Sequence, residues 1–343
     1  MNFRITSNGM FHNYRNNLYT NRKNVTKAMD AVQTQRNFTA YSEDPAAASR
    51  AFQLRRSMWR TEDQINNTNY ISGKFELAFQ ALESVVDPVG GGEGNDLSGI
   101  KTSLEALSDT AGSARRVLGR NMQVVASSLS QLMNVKNGDE FVFGGADALE
   151  VPFEWNPDTG VLTYQGVNVS EAPDDMVQPT YMDIGLGMKT DDNGDIIPSS
   201  AFDASISGLK FLNYGMDEDG DPKNLVVLMN RLGTIFANCD EVKGEYATPE
   251  DRNEAHRLIG KVRDAIAYTQ EQHMDLSSKA VYLDENRQFL TKEMDNLNEE
   301  VVNTEQRDGA DAIMDMLYAQ YGYNAALRIG NSILSQSLLD YMN

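Results

Sequence analysis

A chain of 343 residues is too long for one ordinary core and predicts two or three domains. Its 41 % hydrophobic content and nine prolines fit a folded protein, while a net charge of −20 excludes the basic face that nucleic acid or an anionic membrane surface requires. The lone cysteine, Cys239, excludes an intrachain disulfide, and no run approaches the roughly 20 apolar residues of a membrane span.

The charge is uneven. Residues 1–62 hold ten Lys/Arg against four Asp/Glu, and residues 139–251 hold five against twenty-three. The middle therefore reads as a solvated, self-repelling surface and the start as a segment with a different neighbour. Met1 to Lys27 is polar and lacks the apolar run of a signal peptide, so these residues alone point to the cytosol.

In the first segment, about residues 9–38, Tyr14, Leu18, Val25, Met29 and Val32 share a helical stripe. Ser42-Glu43-Asp44-Pro45 reads as a stop and restart: Asp44 suits the N-cap, Pro45 the first helical position, and the alanines that follow propagate the helix. That second helix is predicted to reach about Val86, with Leu54, Met58, Ile65, Phe75, Phe79 and Leu82 on one stripe. Pro88–Asn95, with four glycines, is a loop. From Ile100 to Leu132 a 3.5-residue apolar period predicts one further helix.

Between Asp139 and about Asp221 short β-prone runs alternate with turn residues, predicting a small β-rich domain. Lys223–Cys239 reads as a short helix. A heptad seam then runs from residue 255 to 301 through Ile259, Val262, Ile266, Leu276, Leu283, Leu290, Met294, Leu297 and Val301, on a helix starting near Pro249 and roughly 75 Å long. A final helix, about Asp308 to Tyr341, carries Ile313, Leu317, Leu327, Leu334 and Leu338.

The predicted fold class is α+β: an elongated, discontinuous helical bundle or coiled coil from both chain ends, with a small β-rich domain inserted at its tip. The domains expected are terminal helices at 1–41 and 308–343, a long-helix coiled coil at 42–138 and 223–307, and the β-rich insertion at 139–222. The terminal helices are marginal alone, since the first is polar and the last contains Gly322 and Gly330, each costing about 1 kcal/mol relative to alanine. Their stripes need partners, either each other or further copies. This predicts self-assembly into a ring or polymer through Tyr14, Leu18, Val25, Val32, Ile313, Leu317, Leu327, Leu334 and Leu338, with Ile5 and Leu339 beside them.

No catalytic, cofactor-binding or metal constellation emerges. His256 and His273 lie 17 residues apart on one helix, and His273 falls in the seam as a structural residue. The loops Asp191-Asp192-Asn193-Gly194-Asp195 and Asp217-Glu218-Asp219-Gly220-Asp221 superficially resemble calcium loops, but each glycine is misplaced and no glutamate follows where the twelve-residue loop needs it. Turn chemistry explains both. Pro88-Val89-Gly90-Gly91-Gly92 lacks the lysine and the strand–helix context of a phosphate loop. No nucleophile triad has a supporting spacing.

Both chain ends resemble the flagellin superfamily. Ser42-Glu43-Asp44-Pro45-Ala46-Ala47-Ala48, followed by Arg50, Leu54 and Arg55, is similar to that family's interhelical corner, and Phe3-Arg4-Ile5-Thr6 with Asn8-Gly9-Met10 to family starts. Asn137-Gly138 followed by Phe141-Val142-Phe143-Gly144-Gly145, with Pro152-Phe153, and the ending Ser337-Leu338-Leu339-Asp340-Tyr341 resemble the superfamily's hook-associated branch more than flagellin itself. The resemblance covers roughly residues 1–145 and 250–343. It implies a structural, non-enzymatic subunit of the bacterial flagellum with no cofactor. It also implies an extracellular site reached through the flagellar type III pathway, which gives the single cysteine a reason, since a cross-linked chain could not thread a narrow channel. The partners it implies are further copies of the chain, a neighbouring hook-associated protein, flagellin and an export chaperone, without nucleic acid or membrane insertion. The rivals are flagellin, which copy number would separate, and an enzyme domain carried on the appendage, which an activity screen of the middle segment would separate.

Overall fold

The computed structural model describes residues 7–86, 96–107, 113–241 and 243–342; at 7, 8, 10, 11 and 333–342 the description covers the backbone alone. The loop expected at 88–95 lies outside the described residues. Among them the chain forms helices α1 (Ser7–Thr34), α2 (Pro45–Val86), α3 (Leu97–Glu105) and α4 (Ala114–Leu132), then a stretch of short strands, then α5 (Gly208–Leu212), α6 (Leu225–Ala237), α7 (Pro249–Glu305) and α8 (Gly309–Met342). Long helices with a small antiparallel β insert bear out the α+β bundle. The chain divides into two compact units, a terminal unit of residues 1–62 with 292–343 and a middle unit of residues 63–291.

In the terminal unit α1 packs against α8. Helix α1 stops at Thr34 because Gln35 takes a left-handed conformation (φ 52°), a C-terminal cap geometry. The chain is then stitched across. The Asn37 amide donates to the Glu305 carbonyl (2.8 Å), the Arg307 amide donates to Gln35 (2.9 Å), and Asn37 Nδ2 donates to the carbonyls of Thr304 and Gln306. Ion pairs Arg50–Glu300 and Arg55–Glu305 join the start of α2 to the end of α7.

The middle unit holds the large core. Along α7 the expected seam is buried at Ala255, Val262, Ile266, Thr269, His273, Leu276, Leu283 and Leu290. Each fully buried aliphatic side chain there contributes about 1.5–3 kcal/mol relative to exposure. His273 stacks on Phe79 of α2 (centroids 4.3 Å apart, planes 3°), with Nε2 3.1 Å from the Phe79 carbonyl, a structural histidine as its place in the seam suggests. The single helix predicted from Ile100 to Leu132 is corrected to two. Helix α3 ends at Glu105, and α4 restarts after Ser113. Residues 108–112, which the apolar period spanned, lie outside the described residues.

Helices α4 and α6 approach through backbone contact. A Cβ on Gly119 would lie 2.6 Å from the Gly233 carbonyl oxygen, and one on Gly233 would lie 2.8 Å from that of Gly119. After α4, β1 (Lys136–Asn137) and β2 (Glu140–Phe141) form a hairpin whose turn uses the positive φ of Gly138. A meander follows of β3 (Phe153–Asn156), β4 (Val161–Tyr164) and β5 (Val167–Asn168), then the pair β6 (Tyr181–Met182) and β7 (Phe202–Asp203). The Phe141–Gly145 run explains its own composition. Phe143 is buried beneath Gly208, where a Cβ would meet the Phe153 ring at 2.5 Å. Gly145 adopts φ +68°, and Gln165 Nε2 donates to the Gly144 carbonyl.

Candidate assembly surface

The corner before α2 is built from the two acids preceding Pro45. Asp44 Oδ1 accepts from the Ala47 amide at 2.9 Å, which satisfies one of the orphan donors of the first turn. Pro45 opens the helix, where its missing N–H is not required. Glu43 Oε2 accepts from the Thr39 amide (2.7 Å) and the Thr39 hydroxyl (3.2 Å), closing the loop. The Thr39 amide, chiefly, holds the Glu43 carboxyl below its ordinary pKa. Ser42 is exposed and makes no side-chain hydrogen bond among the described residues.

Along α1, Tyr14, Leu18, Val25 and Val32 are half-buried and Ala28 and Ala31 are buried, while Met29, placed on the stripe by its size, is half exposed. On α8 the covered positions are Ala312, Met316, Ala319, Tyr323, Ala326 and Gly330, at 4-3-4-3-4 spacing. A Cβ on Gly330 would fall on the Tyr14 ring, so this glycine makes room for an aromatic from α1. The seam consists largely of small residues, and a search weighted to large apolar side chains passes over it. Its signal in the sequence is the repeat of Ala312, Ala319 and Ala326 every seven residues.

The larger apolar residues of α8 face elsewhere. Ile313, Leu317 and Leu327 are 48, 45 and 42 % exposed, and Met314, Tyr318, Tyr321 and Ile329 are also exposed. Helix α8 thus exposes large apolar residues outside the face that α1 covers, interspersed with exposed Asp311, Asp315, Gln320, Asn324 and Arg328. Ile5 lies outside the described residues, and Leu334, Leu338 and Leu339 lie on α8 where only the backbone is described. No helix among the described residues is long and apolar enough to cross a membrane.

In the middle unit the loop at 217–221 does gather three carboxylates. The ligand-type oxygens of Asp217, Asp219 and Asp221 lie within 4.8 Å of one another. Lys261 Nζ sits among them, 2.6, 2.8 and 2.6 Å away respectively, where a cation-binding loop would hold its ion. Asp221 also accepts two hydrogen bonds from Arg257 (2.7 and 3.0 Å) and one from Arg231 (3.2 Å). Burial pushes the Asp221 carboxyl up, but the Arg257 and Lys261 hydrogen bonds outweigh it and hold the carboxyl low. Burial likewise opposes the charge on Lys261, and its three carboxylate bonds carry its pKa well above the usual amine range. The 191–195 loop has the same backbone pattern: the Asp191 carboxylate accepts from the amides of Asn193 and Asp195, and Asp191 donates to the Asp195 carbonyl. Cys239 is buried, and burial raises its thiol pKa, away from reactivity.

No protein-family model matches this sequence, and no curated protein matches it. Solved structures do. The chain is similar in fold to a protein from Vibrio parahaemolyticus described as flagellar hook-associated, with a TM-score of 0.53 and 14 % identity over 77 % of this chain and all of that one. FlgL from Bacillus cereus matches with a TM-score of 0.42 and 14 % identity over 73 % of this chain and 99 % of that one.

Proposed function

We propose that the chain is a structural subunit of the bacterial flagellum, forming the junction between hook and filament, and that its work is assembly rather than catalysis. The observation that carries this reading is the uncovered apolar surface of α8, on a helix whose opposite seam is already taken by α1. The fold likeness to a hook-associated protein and the corner at 42–45 support it. Residues 1–41 and 308–343 form the assembly core, 42–138 with 223–307 the long-helix domain, and 139–222 the β-rich insertion. Its partners are further copies in a ring, an adjoining hook-associated protein, flagellin, and an export chaperone that holds the C-terminal helix until secretion by the type III route to the cell exterior.

Gene removal tests the reading. Cells with normal hooks, no filaments and flagellin lost to the medium are the expected outcome. Intact filaments would overturn it, and loss of the filament's bulk subunit itself would identify the chain as a flagellin.

A further inference from the structure

Beside the corner, the terminal unit carries an open groove of about 240 Å³, lined by Arg36, Phe38, Tyr41, Phe52, Arg55 and Glu305, where Arg55 is already paired with Glu305 and Arg36 is the cation left over. Tyr41 and Phe52 are 66 and 65 % exposed, and Arg36 forms no ion pair among the described residues. Aromatic rings beside the Arg36 guanidinium suit an apolar ligand with a carboxylate at its edge. The chain holds such a segment. Residues 308–318, at the start of α8, contain Asp308, Asp311 and Asp315; Asp315 pairs with Arg307, which leaves Asp308 and Asp311 for a partner, and Ile313, Met314 and Leu317 among them are about half exposed. The same opposition holds at larger scale: 1–62 has ten basic residues against four acidic, and 292–343 has three against nine.

We infer that the groove at residues 36–55 receives the first turns of α8 from a second copy of this chain, with Ile313 and Leu317 entering between Tyr41 and Phe52 and the α8 carboxylates facing Arg36. This rests on the assembly reading above and names the surfaces that meet. Groove and ridge are different patches of one chain, so a contact made once leaves a groove and a ridge free at either end and can propagate. Charge opposition fixes which patch meets which, and makes the contact sensitive to salt.

The test uses the full-length chain in two single-substitution variants, Phe52→Cys and Leu317→Cys, mixed at high concentration and oxidised. Unsubstituted chain, whose Cys239 is buried, is the control. The mixed 52–317 dimer is expected in clear excess over the 52–52 and 317–317 dimers. Arg36→Glu in the Phe52→Cys chain should lower its yield several-fold, and Asp311→Lys in the partner variant should recover part of it. Equal or greater homodimer yields overturn the inference, as does association in sedimentation without a 52–317 product. A chain that stays monomeric at every concentration overturns the assembly reading itself, and this inference with it.

Discussion

The terminal and middle units are built from the same kind of helix but close their apolar surfaces differently. Counting from the sequence, the terminal unit is electrically neutral, because the basic excess of 1–62 is matched by the acidic excess of 292–343, and the whole net charge of −20 falls on residues 63–291. The middle unit holds a large aliphatic and aromatic core behind that acidic surface, although single residues such as Leu149, Met274 and Phe289 stay exposed, and its charge repels like surfaces. The terminal unit spends alanine and glycine on its own seam and leaves isoleucine, leucine and tyrosine outside. A strongly acidic middle joined to a neutral, incompletely covered end suits the assembly through the terminal unit proposed above.

Charge placed on the two seams breaks or confirms this contrast most sharply. Val262→Asp or Leu283→Asp in the middle unit buries an unpaired carboxylate and should cost several kcal/mol, on the order of 3–5, by denaturant unfolding. Leu327→Asp on α8 should leave the unfolding free energy within about 1 kcal/mol of native, and, under the function proposed above, should abolish incorporation at the hook tip. Comparable stability losses at Leu283 and Leu327 would show that the outer face of α8 is covered after all.

Hydrogen exchange on the free subunit measures the same contrast without substitution. A thin seam of small residues buries too little apolar surface to offset an ordering cost of about 1–2 kcal/mol per residue. Amides around Val25 and Leu327 should therefore exchange far faster than those around Leu283, and gain protection only on assembly. Equal protection in the monomer would mean that the ends fold in isolation.

Much of this was legible from residue patterns. Asp44-Pro45 marked the start of α2, Val86 its end, and the heptads placed the buried face of α7, because capping chemistry and apolar period act locally. The end of α3 at Glu105 was missed because the apolar period continues past it in the sequence. The Gly119–Gly233 contact and the small-residue seam of α8 were missed because glycine and alanine read as weak helix or filler until a neighbour is known. Lys261 lies forty residues and more beyond the aspartates it joins, so the loop read as turn chemistry alone.

That lysine gives a smaller, local test within the middle unit. Asp217 is held below the ordinary carboxylate range first by its bond from Lys261, and Asp221 is low for the reasons given above. A depressed folded pKa means that the contribution is complete above the unfolded value, about 3.9, and is lost as pH falls through the lower folded value. The melting temperature of the middle unit should drop as pH falls below about 4, and Lys261→Met should both lower it at pH 7 and flatten that acid slope. Millimolar calcium should restore part of the loss in Lys261→Met, where three carboxylates are left without their ammonium, and should not shift the native chain. A native chain that responds to calcium as strongly as the variant would show that Lys261 does not hold the site.

The two interior glycines of α8 separate packing from propensity within one helix. Gly322 has open space where a Cβ would go, so Gly322→Ala gains only the helix preference of alanine and should stabilise α8 by about 1 kcal/mol. Gly330 has the same intrinsic disadvantage, but a Cβ there would collide with the Tyr14 ring, and the ring must move off α8 or α1 must shift. Overpacking of this kind costs about 1–3 kcal/mol and should outweigh the propensity gain, so Gly330→Ala should loosen α1 from α8. The pair is read by amide exchange at Val25 in the assembled protein, where the seam is formed; it should slow in Gly322→Ala and quicken in Gly330→Ala. In the double variant Gly330→Ala with Tyr14→Ala the collision is gone while the lost aromatic contact remains, so exchange should fall between native and Gly330→Ala. If both glycine substitutions slow exchange alike, the seam between α1 and α8 is not the close contact described, and helix propensity alone governs the terminal unit.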